Sequence, residues 1–165
     1  SDEFIVVLQH PVTTEYLLSK KHISETIKAI KDLTKKTKIK ILWLWPNIDA
    51  GSDGVSQAIR RFREVNSSFK LHAYKNFEPE AYIPLLENAV CAIGNSSSFI
   101  RDASFLGTPI VLVGSRQNGR ECCDSVEKVK ASKREIIDAV TPPAPKIKIH
   151  LCWSGSGMMG SLLRG

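Results

Sequence analysis

Residues 90–98 have the sequence Val90-Cys91-Ala92-Ile93-Gly94-Asn95-Ser96-Ser97-Ser98, an apolar run that passes through a glycine into small polar residues. The apolar part predicts a buried strand from Val90 to Ile93, stopped by Gly94. A helical pattern follows directly, from Phe99 to Leu106. A strand that ends in a short polar loop and continues as a helix is the repeating unit of an open α/β sheet.

The same unit recurs on both sides of this stretch. Apolar runs predict further strands at Phe4–Leu8, Ile39–Trp45, Phe69–Ala73, Pro109–Val113 and Val126–Val129. Helical spacing predicts helices around Ile23–Leu33, Val55–Phe62, Glu78–Ala89 and Arg134–Val140, the last one capped by Ser132. Alternating strands and helices with short connections imply a doubly wound parallel α/β sheet. We assign residues 1–140 to this domain and residues 141–165, which lack periodicity, to an irregular tail.

Composition and charge limit the classes of function. The 165 residues carry a net charge of +6, with much of the excess in lysine clusters beside an amphipathic helix. Such clusters are typical of a solvated face, so the charge suits an anionic ligand without indicating nucleic-acid binding. No apolar stretch reaches the ~20 residues of a membrane span and no signal peptide is present, so we expect a cytoplasmic protein without membrane association.

Cysteine usage gives no sign of a disulfide scaffold or a metal site. The four cysteines form no C-x-x-C pair, and Cys91 lies inside an apolar run as a small hydrophobic residue. We therefore expect no metal and no cofactor. The chain begins without Met and enters a strand almost at once, so we expect it to be a piece of a longer protein.

Polar residues follow the predicted strands one after another. His10 follows the first strand, Asn47 the second, Asn76 the third, residues 95–98 the fourth and Arg116 the fifth. Ligands of open parallel sheets bind outside the carboxyl ends of the strands. The pattern therefore predicts a ligand site where these ends meet.

Each candidate residue also has a purely structural interpretation. Ser96 and Ser97 suit phosphate binding at a helix start, but serine is equally a preferred helix N-cap. Arg116 can pair with a diphosphate or lie in a solvated loop. His10 can serve structure alone, and Asp102 can reach a ribose hydroxyl or remain an exposed acid. The residues by themselves leave these alternatives open.

Four ordered segments resemble a known family. They are residues 9–15 (QHPVTTE), 46–52 (PNIDAGS), 94–97 (GNSS) and 114–121 (GSRQNGRE). In order and spacing they resemble motifs of the UDP-N-acetylglucosamine 2-epimerases, over about residues 4 to 140. The second segment is more similar to the hydrolysing branch, which makes a precursor of sialic acid.

The resemblance implies a Rossmann-like C-terminal lobe of a two-lobed, glycosyltransferase-B-like fold that binds UDP or UDP-N-acetylglucosamine. The implied ligand contacts are His10 at the diphosphate leaving group, Asn47 near the nucleotide, the Phe77 backbone at uracil, Ser96 and Ser97 at phosphate, Asp102 at ribose and Arg116 in the cleft. The family has Glu where this chain has Asp102, and the family's Tyr-Gly-Asp-Gly tail motif is absent.

The resemblance also implies a division of labour. The family's catalytic acids lie in the N-terminal lobe, which this chain lacks, so we expect the chain alone to be inactive and that lobe to be its partner. A homo-oligomer is compatible with this expectation. Two alternatives are the donor-binding lobe of a glycosyltransferase and a non-catalytic nucleotide-binding module.

Overall fold

The computed structural model describes residues 3–10, 16–44, 57, 60–61, 64, 71–74 and 78–140. Its strands are β1 Phe4–Leu8, β2 Lys40–Leu44, β3 Leu71–Tyr74, β4 Cys91–Gly94, β5 Ile110–Val113 and β6 Val126–Val129. Its helices are α1 Tyr16–Lys36, α2 Pro79–Asn88, α3 Ser104–Leu106 and α4 Lys133–Val140, with a π-helical turn at Phe99–Ala103 before α3.

The six strands form one sheet in the order β3-β2-β1-β4-β5-β6, and every neighbouring pair is parallel. The predicted parallel α/β sheet is confirmed. Chain order reverses between β1 and β4, where the carboxyl ends of the two strands meet with Leu8 opposite Gly94. Such a switch point is where open α/β sheets bind their ligands.

Helices cover both faces of the sheet, which is why the strands are continuous apolar runs. Ile5 and Val7 of β1 belong to a buried cluster that also contains Ile30 of α1 and Ile136 of α4. Val6 belongs to a second cluster with apolar side chains of α2 and of the segment that follows β4. Successive strand residues point to opposite faces, so neither face of β1 meets solvent.

Charged groups join the middle and the C-terminal part of α1 to the start of α4. The Lys133 ammonium lies 2.5 Å from an Asp32 carboxylate oxygen, and the Lys133 N–H donates to the Glu25 carboxylate at 3.0 Å. The hydrogen bond from the Lys133 backbone is the largest cause that lowers the pKa of Glu25, and the Lys133 side chain similarly lowers the pKa of Asp32. Both carboxylates therefore hold the start of α4 against α1.

The sequence pattern predicted that β4 ends at Ile93, just before Gly94. In the structure Gly94 is itself the last residue of the strand. Its φ of 153° is rare for residues with a side chain, and a Cβ at this position would lie 1.9 Å from the Leu8 carbonyl oxygen. Glycine is needed here because β1 and β4 approach each other too closely for any side chain.

The segment after β4 is helical but not a regular α-helix. Residues 97–98 are α-helical, Phe99–Ala103 forms a π-helical turn, and Ser104–Leu106 is α-helical again. The predicted helical pattern from Phe99 to Leu106 is confirmed, but its first five residues are π-helical rather than α-helical. Apolar spacing marks the buried Phe99 and Leu106 but does not distinguish a wide turn from an α-helical one.

Most other boundaries differ by one or two residues, but α1 runs from Tyr16 to Lys36, well beyond the predicted Ile23–Leu33 at both ends. The third strand begins at Leu71 and ends at Tyr74, and α4 begins at Lys133. The predicted helix around Val55–Phe62 lies largely outside the described residues, as does the whole tail 141–165. None of the helices in the described part of the chain combines the length and apolar character that crossing a membrane requires.

Candidate functional site

The candidate site lies at the carboxyl ends of β1, β4 and β5. Residues 9–10 continue from β1, residues 95–98 continue from β4, and residues 114–125 connect β5 to β6. The β5–β6 connection contains turns but no helix. The three segments therefore emerge side by side at the switch point of the sheet.

The Asn95 side chain fastens the end of β1 to the end of β4. The His10 N–H donates to Asn95 Oδ1 at 2.6 Å, and Asn95 Nδ2 donates to the His10 carbonyl at 2.8 Å. The Asn95 N–H donates to the Leu8 carbonyl at 3.2 Å. A primary amide offers the same donor and acceptor as a peptide group, so Asn95 continues the pairing of the two strands beyond Gly94.

Gln117 attaches the β5–β6 connection to the same point. Its Nε2 donates to the Asn95 carbonyl at 3.0 Å, and the Gln117 residue is only 6% exposed. The neighbouring Arg116 is exposed, in a turn closed by the Asn118 N–H and the Ser115 carbonyl at 2.9 Å. Arg116 has no ion-pair partner among the described residues. The buried Gln117 amide thus anchors the turn that contains the exposed, cationic Arg116.

Ser96 is the residue that caps the helical segment after β4. Its Oγ accepts the Ser98 N–H at 3.3 Å, and its carbonyl accepts the Phe99 N–H at 3.2 Å. Ser96 therefore has the hydrogen bonds of a helix N-cap, as the structural interpretation of this residue predicted. Ser97, the next residue, is half-buried.

A chain of hydroxyl groups leads from α2 to Ser96. Tyr82 Oη lies 2.6 Å from Ser98 Oγ, which lies 2.8 Å from Ser96 Oγ. The pKa of Tyr82 is raised to about 12, mainly because the phenol is buried. The negative charge of Asp102 also raises this pKa, and the hydrogen bond with Ser98 partly opposes the shift. The phenol is therefore protonated at neutral pH.

Asp102 lies in the π-helical turn beyond the serines. Its Oδ1 is 3.2 Å from the Arg101 guanidinium, and the Asp102 side chain is 20% exposed. Its negative charge contributes to the raised pKa of the Tyr82 phenol. Asp102 remains open enough to meet a ligand.

The described residues bring the segments of His10, Ser96–Ser97 and Arg116 together at one point. Asn47 and Phe77 lie outside the residues that the structure describes. The roles of Gln117 and Tyr82 were not predicted, since a buried glutamine in a polar loop and a tyrosine on an apolar helix face carry no local signal. Asn95 was noted only as one member of a polar loop.

The chemistry of this arrangement is that of anion binding. It offers a helix start, serine hydroxyls and an arginine, all of which suit an anion. Within the described ranges no three His, Cys, Asp or Glu side chains are grouped to hold a metal ion. These features define the class of protein. It is a Rossmann-like α/β domain that carries its polar loops at the switch point of the sheet.

The chain belongs to the UDP-N-acetylglucosamine 2-epimerase family, whose model matches residues 1–148. It is 30% identical over 139 residues to the UDP-N-acetylglucosamine 2-epimerase of Neisseria meningitidis, with 84% of this chain and 35% of the relative covered. It is 29% identical to the UDP-N,N'-diacetylbacillosamine 2-epimerase (hydrolyzing) of Legionella pneumophila, with 90% and 38% covered. The chain thus spans little more than a third of the length of these curated relatives.

The fold is also similar to a solved structure. The UDP-GlcNAc 2-epimerase of Methanocaldococcus jannaschii, crystallised with UDP-GlcNAc and UDP, superposes with a TM-score of 0.73 at 16% identity, covering 100% of this chain and 46% of that one. At this identity the likeness shows the fold, and it confirms the predicted glycosyltransferase-B-like architecture of the lobe.

Proposed function

We propose that this chain is the UDP-binding C-terminal lobe of a hydrolysing UDP-N-acetylglucosamine 2-epimerase. The observation that carries the proposal is the Asn95 junction, which gathers the segments of His10, Ser96 and Arg116 at the switch point. Family membership supports the proposal, and the Methanocaldococcus jannaschii relative was crystallised with UDP-GlcNAc and UDP. The Legionella pneumophila relative, named as hydrolyzing, supports the branch.

The diphosphate of UDP would lie over the start of the helical segment. Ser96, Ser97 and the N–H groups there donate to phosphate oxygens, and the Arg116 guanidinium binds the same oxygens. His10, half-buried at the end of β1, contacts the same diphosphate. Each charge-assisted hydrogen bond contributes roughly 1.5–3 kcal/mol. Asn47 and the backbone of Phe77 complete the nucleotide site in this proposal.

Asp102 would hold the ribose, where the family has the longer Glu. Asp102 Oδ1 is already paired with the Arg101 guanidinium at 3.2 Å. A ribose hydroxyl would therefore either share Oδ1 with that guanidinium or donate to the second carboxylate oxygen of Asp102. Because the Asp side chain is one methylene shorter, we expect this contact to be weaker than the family's Glu contact.

The reaction of the complete enzyme would proceed by elimination and hydration. A base removes the proton at C2 of the sugar, UDP leaves from C1 to give a glycal, and water adds to yield N-acetylmannosamine. This lobe stabilises the negative charge that grows on departing UDP, which is the task of preorganised donors and a cation. The base belongs to the N-terminal lobe, because the groups gathered here serve the leaving group.

Thermal unfolding of the chain with and without nucleotide tests the binding proposal. UDP should stabilise the chain more than AMP or free N-acetylglucosamine does, by ~2.7 kcal/mol at 100 times its dissociation constant. Arg116→Ala should weaken the UDP effect, whereas Lys36→Ala, at the far end of α1, should leave it unchanged. Absence of a UDP-dependent shift, or equal effects of the two substitutions, would contradict the proposed site.

Turnover tests the division of labour between the lobes. The purified chain should release no UDP from UDP-N-acetylglucosamine, and addition of the upstream lobe should restore formation of N-acetylmannosamine, measured by mass spectrometry. Correct placement of the sugar between two lobes can be worth ~7–11 kcal/mol of the barrier. Turnover by the chain alone would refute this division, and transfer of the sugar without free N-acetylmannosamine would indicate a glycosyltransferase.

A further inference from the structure

We propose that Tyr82 is a positioning residue that, through Ser98, commits the Ser96 hydroxyl to donate its proton to a phosphate of the bound nucleotide. The proposal rests on the proposed function, since it assumes a phosphate at Ser96. It is carried by the chain of hydroxyls from Tyr82 through Ser98 to Ser96, with links of 2.6 and 2.8 Å. Tyr82 would touch no ligand itself and would act only through the two serines.

The hydrogen bonds around Ser96 determine what its hydroxyl can still do. A serine hydroxyl has one proton to donate and two lone pairs that accept. One lone pair of Ser96 Oγ accepts the Ser98 N–H at 3.3 Å. If the Ser98 hydroxyl donates to the second lone pair, Ser96 can only donate, and its proton remains for a ligand.

The donor-to-acceptor direction along the three hydroxyl groups follows from the chemistry of the groups at the two ends of the series. A phenol is a better hydrogen-bond donor and a poorer acceptor than an alkyl hydroxyl, so Tyr82 donates to Ser98 and Ser98 donates to Ser96. The raised pKa of Tyr82, about 12 because of its burial, keeps the phenol proton in place at neutral pH. A phosphate at the free end favours the same direction, because it accepts and cannot donate when ionised.

The substitution Tyr82→Phe removes the first donor and keeps the ring that packs beside the buried cluster of α2. Ser98 is then free to turn its proton elsewhere, and Ser96 is no longer committed to donate. We expect UDP to bind roughly 3- to 10-fold more weakly, the effect of losing one oriented hydrogen bond. Uridine, which shares the base and ribose but has no phosphate, should bind with unchanged affinity.

Calorimetric titration of the chain with UDP and with uridine measures both affinities, and Thr108→Val supplies the matched control. The Thr108 hydroxyl is fully buried and donates to the Leu86 carbonyl at the end of α2, outside the hydroxyl chain. Thr108→Val should lower the melting temperature about as much as Tyr82→Phe, with no change in the ratio of UDP to uridine affinity. Ser98→Ala should weaken UDP binding, and addition of Tyr82→Phe to it should weaken binding no further.

The outcomes separate this inference from the proposed function. If the unsubstituted chain binds UDP and Tyr82→Phe leaves the UDP affinity unchanged, the hydroxyl chain has no role in binding. Equal losses for UDP and uridine would show that Tyr82 supports the fold of the site rather than the phosphate donor. A chain that does not bind UDP at all would overturn the proposed function and this inference with it.

Discussion

The substitution Gly94→Ala tests the close approach of β1 and β4 at the switch point. The added Cβ would lie 1.9 Å from the Leu8 carbonyl oxygen and 3.2 Å from the Phe99 ring. Non-bonded heavy atoms rest at about 3.5–4.0 Å, so the two strand ends would have to separate by roughly 2 Å. The obstacle is backbone, which cannot turn away as the end of a flexible side chain can.

The cost of that separation can be worked out from the bonds that cross the junction. The Asn95 N–H bond to the Leu8 carbonyl at 3.2 Å and the two bonds between Asn95 and His10 at 2.6 and 2.8 Å would be strained or lost. At about 1 kcal/mol each they amount to about 3 kcal/mol. An alanine at the glycine φ of 153° adds about 1–3 kcal/mol. The total of about 4–6 kcal/mol approaches the whole stability of a marginal domain.

Gly119→Ala is the control, because Gly119 has a φ of 83° but nothing within 4 Å of an added Cβ. Only the backbone penalty of about 1–2 kcal/mol applies, which lowers the melting temperature by roughly 2–8 °C. Urea unfolding followed by circular dichroism measures both variants. If Gly94→Ala costs no more than Gly119→Ala, the strand ends can separate freely and the argument for this glycine fails.

Asn95→Ala should destabilise the chain by about 2–4 kcal/mol in urea unfolding, because both backbone groups of His10 lose their partner. Asn95→Asp keeps the acceptor for the His10 N–H but sets a carboxylate oxygen against the His10 carbonyl in a buried position, so it should also destabilise the chain. An unchanged unfolding free energy in both variants would refute the role of the Asn95 junction. Stability should also fall as the pH drops below about 4.5. The pKa values of Glu25 and Asp32 are lower in the folded chain than in the unfolded chain, so the ionised carboxylates stabilise the fold. This stabilisation is lost as acid protonates the two carboxylates. Lys133→Met removes the ion-pair partner of Asp32. The difference in unfolding free energy between this variant and the unsubstituted chain should therefore shrink as the pH falls from about 6 to about 3. A difference that stays constant would refute the role of that ion pair.

The layered fold could be predicted because its signals are local. The run Phe4–Leu8 is apolar throughout and forms β1 with the predicted bounds, and Val126–Val129 forms β6 with the predicted bounds. A strand covered on both faces needs no alternation, and an amphipathic helix such as α1 shows its own period. Once strands and helices alternate, a parallel sheet follows, and its carboxyl edge already indicates where a ligand binds.

The fine structure of the site could not be predicted because it depends on contacts between distant residues. His10 and Asn95 are 85 positions apart, and Asn95 and Gln117 are 22 apart. Nothing near Tyr82 in the sequence indicates that its phenol meets Ser98 across the packing of two segments. Side-chain hydrogen bonds between loops leave no period and no composition bias in the sequence, so they become visible only in the folded structure.

Asn95 joins the carboxyl ends of β1 and β4 and the β5–β6 connection into one hydrogen-bonded unit, through its side-chain amide to His10 and through its backbone carbonyl to Gln117. Because His10 and Gln117 both bond to this one residue, neither neighbouring segment can move away without breaking a hydrogen bond to it. The His10 amide proton, although it lies beyond the end of β1, should therefore exchange with solvent only when the junction opens. UDP bound as proposed would restrain both His10 and the turn that contains Arg116, so it should slow the exchange of the His10 amide proton.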